Sequence, residues 1–264
     1  MHATATKTSA RIIPIEPRSA ASTTTARKFE VKCASCNVRE LCLPEGLTPQ
    51  DVASFEEVVY TRKRVKRGET LFAAGSNFGA VYAIRSGFFK VSVVDGEGRE
   101  QVTGFSMGGE LLGMDGIGSG TYSATATALE DAEVCVLPFA RLEDLAASVR
   151  AFRRSLHIVL SREIVRDHGV MMLLGSMRAE ERLAAFLLNL SQRFTARGFS
   201  SSEFILRMTR EEIGSFLGLK LETVSRLFSR FQDEGLVAVQ QKHIRIVDVP
   251  GLKKMMGRGA ATNC

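Results

Sequence analysis

Short apolar runs broken by glycine fill the first half of the chain. Between about residues 47 and 137 they fall at 80–84, 88–94, 102–105 and 134–137. The breaks are Arg85-Ser86-Gly87, Asp95-Gly96-Glu97-Gly98 and Met107-Gly108-Gly109. Many short strands with glycine turns predict a β-roll or barrel over residues 47–140. Asp95-Gly96 marks a hairpin within it. After Pro138 the period changes, and no proline interrupts residues 139–177. There Leu156, Leu160, Ile164, Met171 and Leu174 recur at steps of 4, 4, 7 and 3, one stripe close to a coiled-coil seam. The skipped step falls at Asp167. The pattern predicts a long helix, its 141–177 part being either a core helix packed on the roll or a dimer helix. Its length and its polar seam residue favour the dimer.

A further helix is expected over 179–197, closed by Gly198, and then a strand over 204–208. Thr209 and Glu212 form a capping box that opens a helix over 210–217, stopped by Gly218. A second helix runs from Leu221 to Glu234 and ends at Gly235. Helix, glycine turn, helix is the helix-turn-helix signature. Runs at 237–241 and 243–247 read as a β-hairpin wing, so residues 178–250 form a winged helix-turn-helix unit. The fold class is therefore α+β. Residues 1–30, with few large apolar side chains, read as a disordered tail, and a transit peptide is the weaker alternative. Residues 31–46 form a separate cysteine-bearing segment, and 251–264 a C-terminal tail.

The second helix of the pair separates into two faces. Val224, Leu227, Phe228 and Phe231 face inward, whereas Glu222, Ser225 and Arg226 face outward near its N-terminus, with Arg230 one turn on. A recognition helix presents its N-terminal residues to base edges in the major groove. Arg226 can pair bidentately with guanine, Glu222 can accept from a base amino group, and Ser225 can serve either base type. A carboxylate facing a polyanion is costly unless it reads a base. Arg210, Lys220, Arg230 and Lys242 are placed for phosphate contacts, which set affinity rather than sequence.

Cys33, Cys36 and Cys42 form a C-x2-C-x5-C run, and Cys135 lies far away on an expected strand. Three thiols within ten residues plus one remote thiol can close a site, and soft thiolates suit an iron–sulfur cluster or zinc equally. Closing it would clip the N-terminal segment onto the roll. Cys264 is a spare thiol.

Composition narrows the function classes. At 264 residues the chain has room for two domains, and 45% hydrophobic content is ample for packed cores. A net charge of +6 fits a polyanionic partner. Five cysteines in a chain of this length, with no secretory segment, do not form a disulfide scaffold. The longest apolar stretches, such as 170–174, are too short to cross a bilayer, so a cytoplasmic protein with no membrane partner is expected. There is no phosphate-binding glycine loop, no G-x-S-x-G elbow and no zinc-protease helix. His2, His157, His168 and His243 are scattered, so an enzyme is not expected.

Several stretches together carry a resemblance: Cys33-Ala-Ser-Cys36 through Leu41-Cys42-Leu-Pro44, Tyr82-Ala-Ile-Arg-Ser-Gly87, Glu100-Gln-Val-Thr-Gly-Phe105, Ile117-Gly-Ser-Gly120, residues 179–186 and Glu222-Thr-Val-Ser-Arg226. Over residues 32–247 the chain resembles the Crp/Fnr superfamily of bacterial regulators, and within it the oxygen-sensing FNR (fumarate and nitrate reduction) regulators. The resemblance implies a β-roll sensor, a dimerisation helix and a winged helix-turn-helix. It implies a [4Fe-4S] cluster on Cys33, Cys36, Cys42 and Cys135, recognition of palindromic TTGAT half-sites by a homodimer, and contact with RNA polymerase through Asp95, Gly98 and the surface near Thr125. Asn37 departs from the serine of the best-known member, so oxygen sensitivity is expected to differ. Cyclic-nucleotide binders of the superfamily carry Gly-Glu and Arg-Ser-Ala motifs. Here Met114 follows Gly113, and Tyr122 precedes Ser123-Ala124, so no cyclic nucleotide is expected. Asp167 would face its own copy in a dimer seam, which is expected to keep the cluster-free chain monomeric until the N-terminal segment repacks near Arg153 and Ile164.

Overall fold

The computed structural model describes residues 33, 36–43, 47–59 and 61–257. The tail expected over 1–30, His2, Cys264 and the last residues of the C-terminal tail lie outside the described residues.

A short helix α1 (Arg39–Cys42) precedes α2 (Pro49–Val58). Helix α2 was not evident from apolar period, yet its start is written in the chain. The Thr48 hydroxyl accepts from Asp51 N at 3.2 Å, Asp51 Oδ2 accepts from Thr48 N at 2.9 Å, and Pro49 opens the first turn. The roll follows as β1 (Thr61–Val65), β2 (Thr70–Phe72), β3 (Ala80–Ser86), β4 (Phe88–Val94), β5 (Glu100–Met107), β6 (Leu111–Leu112), β7 (Thr125–Ala128) and β8 (Ala132–Pro138). These strands form two four-stranded antiparallel sheets, ordered β1-β8-β3-β6 and β2-β7-β4-β5. Alternating residues face inward, so Ile84, Phe89, Ala126 and Val134 pack between the sheets with Tyr122 and Phe72. In the β4–β5 hairpin, Asp95 Oδ1 accepts from Glu97 N and Arg99 N, and Gly98 takes a φ of +82° that a side chain would strain.

The long helix read from Phe139 to Met177 is two helices, α3 (Phe139–Ser148) and α4 (Arg150–Ser176). The break needs neither proline nor glycine. The Ser148 hydroxyl donates to the carbonyls of Asp144 and Leu145, and Val149 turns extended at φ −110° and ψ 105°. Burial explains the change of direction: α3 buries Leu142, Leu145 and Ala146, whereas α4 buries only Phe152. Phe152 meets Phe55 of α2 at 5.1 Å between ring centroids.

The C-terminal unit comprises α5 (Ala179–Thr195), β9 (Glu203–Ile205), α6 (Arg210–Leu217), α7 (Leu221–Asp233), β10 (Val237–Gln240), β11 (His243–Ile246) and α8 (Val249–Gly257). The wing is a three-stranded sheet, β10-β11-β9, because β9 adds to the hairpin edge. Residues 251–257, read as the start of a tail, belong to α8, whose Leu252 is fully buried. The start of α8 is signalled by Asp248, whose Oδ1 accepts from Gly251 N at 2.9 Å, and by Pro250 in the first turn.

The two units share a core. Phe88, Val102, Phe105 and Met107 of the roll are buried together with Leu183, Phe186, Ile213 and Leu217. Polar contacts cross the same junction. Ser215 Oγ accepts from Val102 N at 2.8 Å, Lys90 Nζ reaches Glu212 at 3.5 Å, and Arg207 Nε reaches Glu130 at 3.0 Å.

Candidate thiolate site and DNA-reading face

The four cysteines in the C-x2-C-x5-C and remote-strand pattern line one cavity. Cys36 N donates to Cys33 O at 3.1 Å, and Arg39 N to Cys36 O at 3.0 Å, so tight turns fold the segment back on itself. Cys42 closes α1, and Cys135 enters from β8. Phe55 and Val59 from the α2 side, with Ala83 and Leu137 from the sheet, supply an apolar wall. Glu56 of α2 accepts from Cys33 N at 2.5 Å and fixes the start of the segment. Helix α1 rests on the β5–β6 turn, where a Cβ on Gly109 would stand 2.6 Å from Leu41 Cβ.

Burial pushes the Cys33 thiol up to about 12, helped by Cys135, Glu56 and Cys36. Burial likewise raises Cys42 to about 12, helped by the other three thiols. Cys135 is raised by burial against the pull of Arg62. Thiolates at Cys33, Cys42 and Cys135 are therefore disfavoured here unless a cationic group lies among them. Among the described residues no three His, Cys, Asp or Glu side chains already stand at the spacing of a single-ion site. The donor chemistry nevertheless fits a thiolate-held cluster. Four free thiols meet in one apolar pocket, and the Nε atoms of Arg62 and Arg85 beside it are buried with no acceptor among the described residues.

The second site is the face of α7. Val224, Leu227, Phe228 and Phe231 are buried, and Glu222, Ser225 and Arg226 are exposed. Gly218 turns the chain left-handed between the helices, and a Cβ on Gly214 would collide with Leu219 O at 2.6 Å. Lys220 and Lys242 are exposed on the same unit, and Lys242 Nζ lies 3.3 Å from Arg207 O. Arg230 pairs with Glu234 at 2.7 Å. Arg210 is placed differently from a free phosphate contact. Its guanidinium lies 3.4 Å from the centroid of the Phe228 ring, its Nη1 is buried, and burial pulls its pKa down to about 10.

On α4, Leu156, Leu160 and Leu174 are half-buried and Asp167 is exposed. Ile164 and Met171 are 56% and 61% exposed, alongside Ile158, Val165 and Met172, which the stripe had left out. One copy of the chain therefore leaves an apolar strip uncovered. Asp95 is engaged with Arg99 at 2.7 Å, and Thr125 Oγ1 accepts from Ala74 N at 3.0 Å, so both side chains hold local structure.

A cluster that sequence reading missed joins the units. Glu110 binds Arg193 at 2.6 Å and Arg197 at 2.5 Å, while those arginines also donate to Phe105 O and Gly108 O. No local pattern announces it, because the partners lie more than 80 residues apart.

Residues 181–255 match the Crp-like helix-turn-helix domain family, and residues 62–165 the cyclic nucleotide-binding domain family. The chain is 46% identical to the transcriptional regulatory protein btr of Bordetella pertussis, over 86% of this chain and 93% of that one. It is 46% identical to the transcriptional activator protein anr of Pseudomonas aeruginosa, over 83% and 90% of the two chains. It is 42% identical to the fumarate and nitrate reduction regulatory protein of Escherichia coli, over 86% and 91%. The structure of FixK2 from Bradyrhizobium japonicum superposes with a TM-score of 0.69 at 27% identity, over 77% of this chain and 98% of that one.

Proposed function

The chain belongs to the FNR/Anr family of Crp-like transcription regulators, which are not enzymes, and from that premise we propose that it is an oxygen-responsive regulator of anaerobic metabolism. The observation that carries the reading is the gathering of Cys33, Cys36, Cys42 and Cys135 as free thiols around one largely apolar pocket. Cys33, Cys36, Cys42 and Cys135 would hold a [4Fe-4S] cluster, which supplies an oxygen-labile metal centre when bound. Burial raises the Cys33, Cys42 and Cys135 thiols and so disfavours their bare thiolates, and holding such a group would fix the segment that carries three of the four cysteines.

The exposed strip of α4 would then pair with a second copy, and the dimer would present two α7 helices to a palindromic, TTGAT-type site in double-stranded DNA. Glu222, Ser225 and Arg226 would read bases, and Lys220 and Lys242 would hold phosphates, with Arg230 drawn from Glu234. RNA polymerase would dock on the face near Asp95, Gly98 and Thr125. A cytoplasmic location follows from this role; no helix among the described residues is long and apolar enough to cross a membrane.

A cyclic nucleotide is not part of this reading, although the roll matches that domain family. Asp115 Oδ2 already accepts from Ser123 N at 2.7 Å, Ser123 Oγ at 2.8 Å and Ala124 N at 3.0 Å. The chain's own carboxylate takes the donors an anion would need there.

The deciding experiment is an anaerobic absorption spectrum with iron, sulfide and zinc analysis, followed by admission of air. Visible absorption with about four irons and four sulfides per chain, bleached by air, is the expected result. Stoichiometric zinc without colour or air response would make this a zinc-stapled DNA-binding protein.

A further inference from the structure

Two buried guanidinium donors, one on the pocket wall and one paired in register with a cysteine of that wall, have no acceptor among the described residues. Arg62 of β1 pairs in register with Cys135 of β8, and directly paired residues of adjacent strands project from one face. On the other side of β8, Ala83 of β3 pairs with Cys135, and Arg85, two residues on, lines the cavity with all four cysteines. The Nε–H groups of Arg62 and Arg85 are both buried, and neither finds an acceptor among the described residues. Buried donors are nearly always paired, so two orphans at one pocket indicate an acceptor that the described residues do not provide.

The rest of each side chain sharpens this. Arg85 is paired through Nη1 with Glu133, a pairing that leaves its Nε–H without a partner among the described residues. Arg62 belongs to an edge strand that also carries Lys63 and Arg64, where charge commonly guards the edge against mispairing. That role asks for solvated charge, whereas the Arg62 Nε is withdrawn from solvent. Both cations are felt at the thiols, since Arg62 and Arg85 each pull Cys135 down.

Resting on the cluster reading above, we propose that Arg62 and Arg85 are sulfur-binding partners of the group held by Cys33, Cys36, Cys42 and Cys135. Their Nε–H groups donate to thiolate or sulfide sulfur, and their charges offset its excess of negative charge. A tetrathiolate [4Fe-4S] group in its oxidised resting form carries a net charge of about −2, which two guanidinium groups balance. Hydrogen bonds to sulfur and nearby charge are among the levers by which a protein tunes such a group. Glu133 opposes this effect, because it competes for Arg85.

The test uses the full-length protein, reconstituted anaerobically with iron and sulfide, and follows iron transfer to a chelator through the visible absorbance. Arg62→Gln is expected to start with wild-type iron and sulfide and to lose them about tenfold faster, the size of one charge-assisted hydrogen bond. Arg62→Lys, which keeps the charge without the planar Nε–H, should fall between them. Glu133→Gln, which releases Arg85 from its carboxylate, should hold iron longer than wild type. That opposite sign is not expected of a loosened fold. If Arg62→Gln takes up no iron at all, the lysine and Glu133 variants carry the same comparison. Wild-type release rates in Arg62→Lys and Glu133→Gln would overturn the proposal. A wild-type protein that takes up no iron and sulfide would instead overturn the cluster reading, before any variant is compared.

Discussion

Glu110 and Arg197 meet at 2.5 Å across the junction between the roll and the DNA-binding unit. Glu110 also binds Arg193, so one carboxylate from the β5–β6 turn holds a cation of α5 and a second just past its C-terminus. Arg197 is largely buried; burial and the neighbouring Arg193 lower its pKa and Glu110 raises it, so Glu110 is the carboxylate that offsets its charge. Glu110→Gln should therefore destabilise the junction by about 2–3 kcal/mol, because it strands a buried cation. Denaturant unfolding followed with a probe on α5 should show this loss. An unchanged midpoint would mean that the apolar contacts of Phe105 and Phe88 hold the junction alone.

The same turn carries the cysteine segment. Gly109 sits at φ +86°, and a Cβ there would press on Leu41 of α1. Gly109→Ala should displace α1 and reduce cluster uptake about tenfold, while the DNA-binding unit keeps its stability, since the strain falls on one side of the turn. Iron content and a melting curve on the same sample check both halves. Equal iron content would show that α1 is not seated by this contact.

The sequence was most legible where chemistry is local. The Thr209–Glu212 box, Gly218 and the apolar face of α7 set the helix-turn-helix without reference to the rest of the chain. The cysteines were legible because their spacing is itself the signal. The end of α3 was not, since Val149 breaks the helix through the differing burial of the two flanks rather than through a residue that forbids helix. Helices α2 and α8 carried cap signals, at Thr48 and Asp248, that were weaker than their surroundings. Arg62 lies more than seventy residues from its strand partner Cys135, and Arg85 reaches the same pocket from the register irregularity of β3 against β8, so only the sheet brings them to the thiols.

Arg226 and Lys220 should separate under DNA titration. Arg226→Ala should cost about 1–3 kcal/mol against the preferred site and relax discrimination at one base pair. Lys220→Ala should weaken all sequences alike and lower the salt slope by about 1. A uniform loss from Arg226→Ala would show that it holds phosphate instead.

Arg210 should behave as a packing residue. Its cation covers the Phe228 ring, so Arg210→Ala should destabilise the unit by about 1 kcal/mol. Its salt slope for DNA binding should match that of wild type. A slope reduced as far as in Lys220→Ala would return Arg210 to the phosphate-binding set.

Asp167 stands between Ile164 and Met171 on the uncovered strip of α4. In a symmetric pairing through that strip, two copies of the carboxylate approach each other while losing water. Desolvation and like-charge repulsion both oppose the dimer, and neither acts on a solvated monomer. Removing the charge should shift the monomer–dimer balance of the cluster-free protein by about 1–3 kcal/mol. Asp167→Ala should therefore sediment as a dimer in air at concentrations where wild type is monomeric, and it should bind DNA there. Asp167→Glu, which keeps the charge, should remain monomeric. If Asp167→Ala stays monomeric as well, the seam runs along Ile158, Val165 and Met172 instead, with Asp167 on its solvent side.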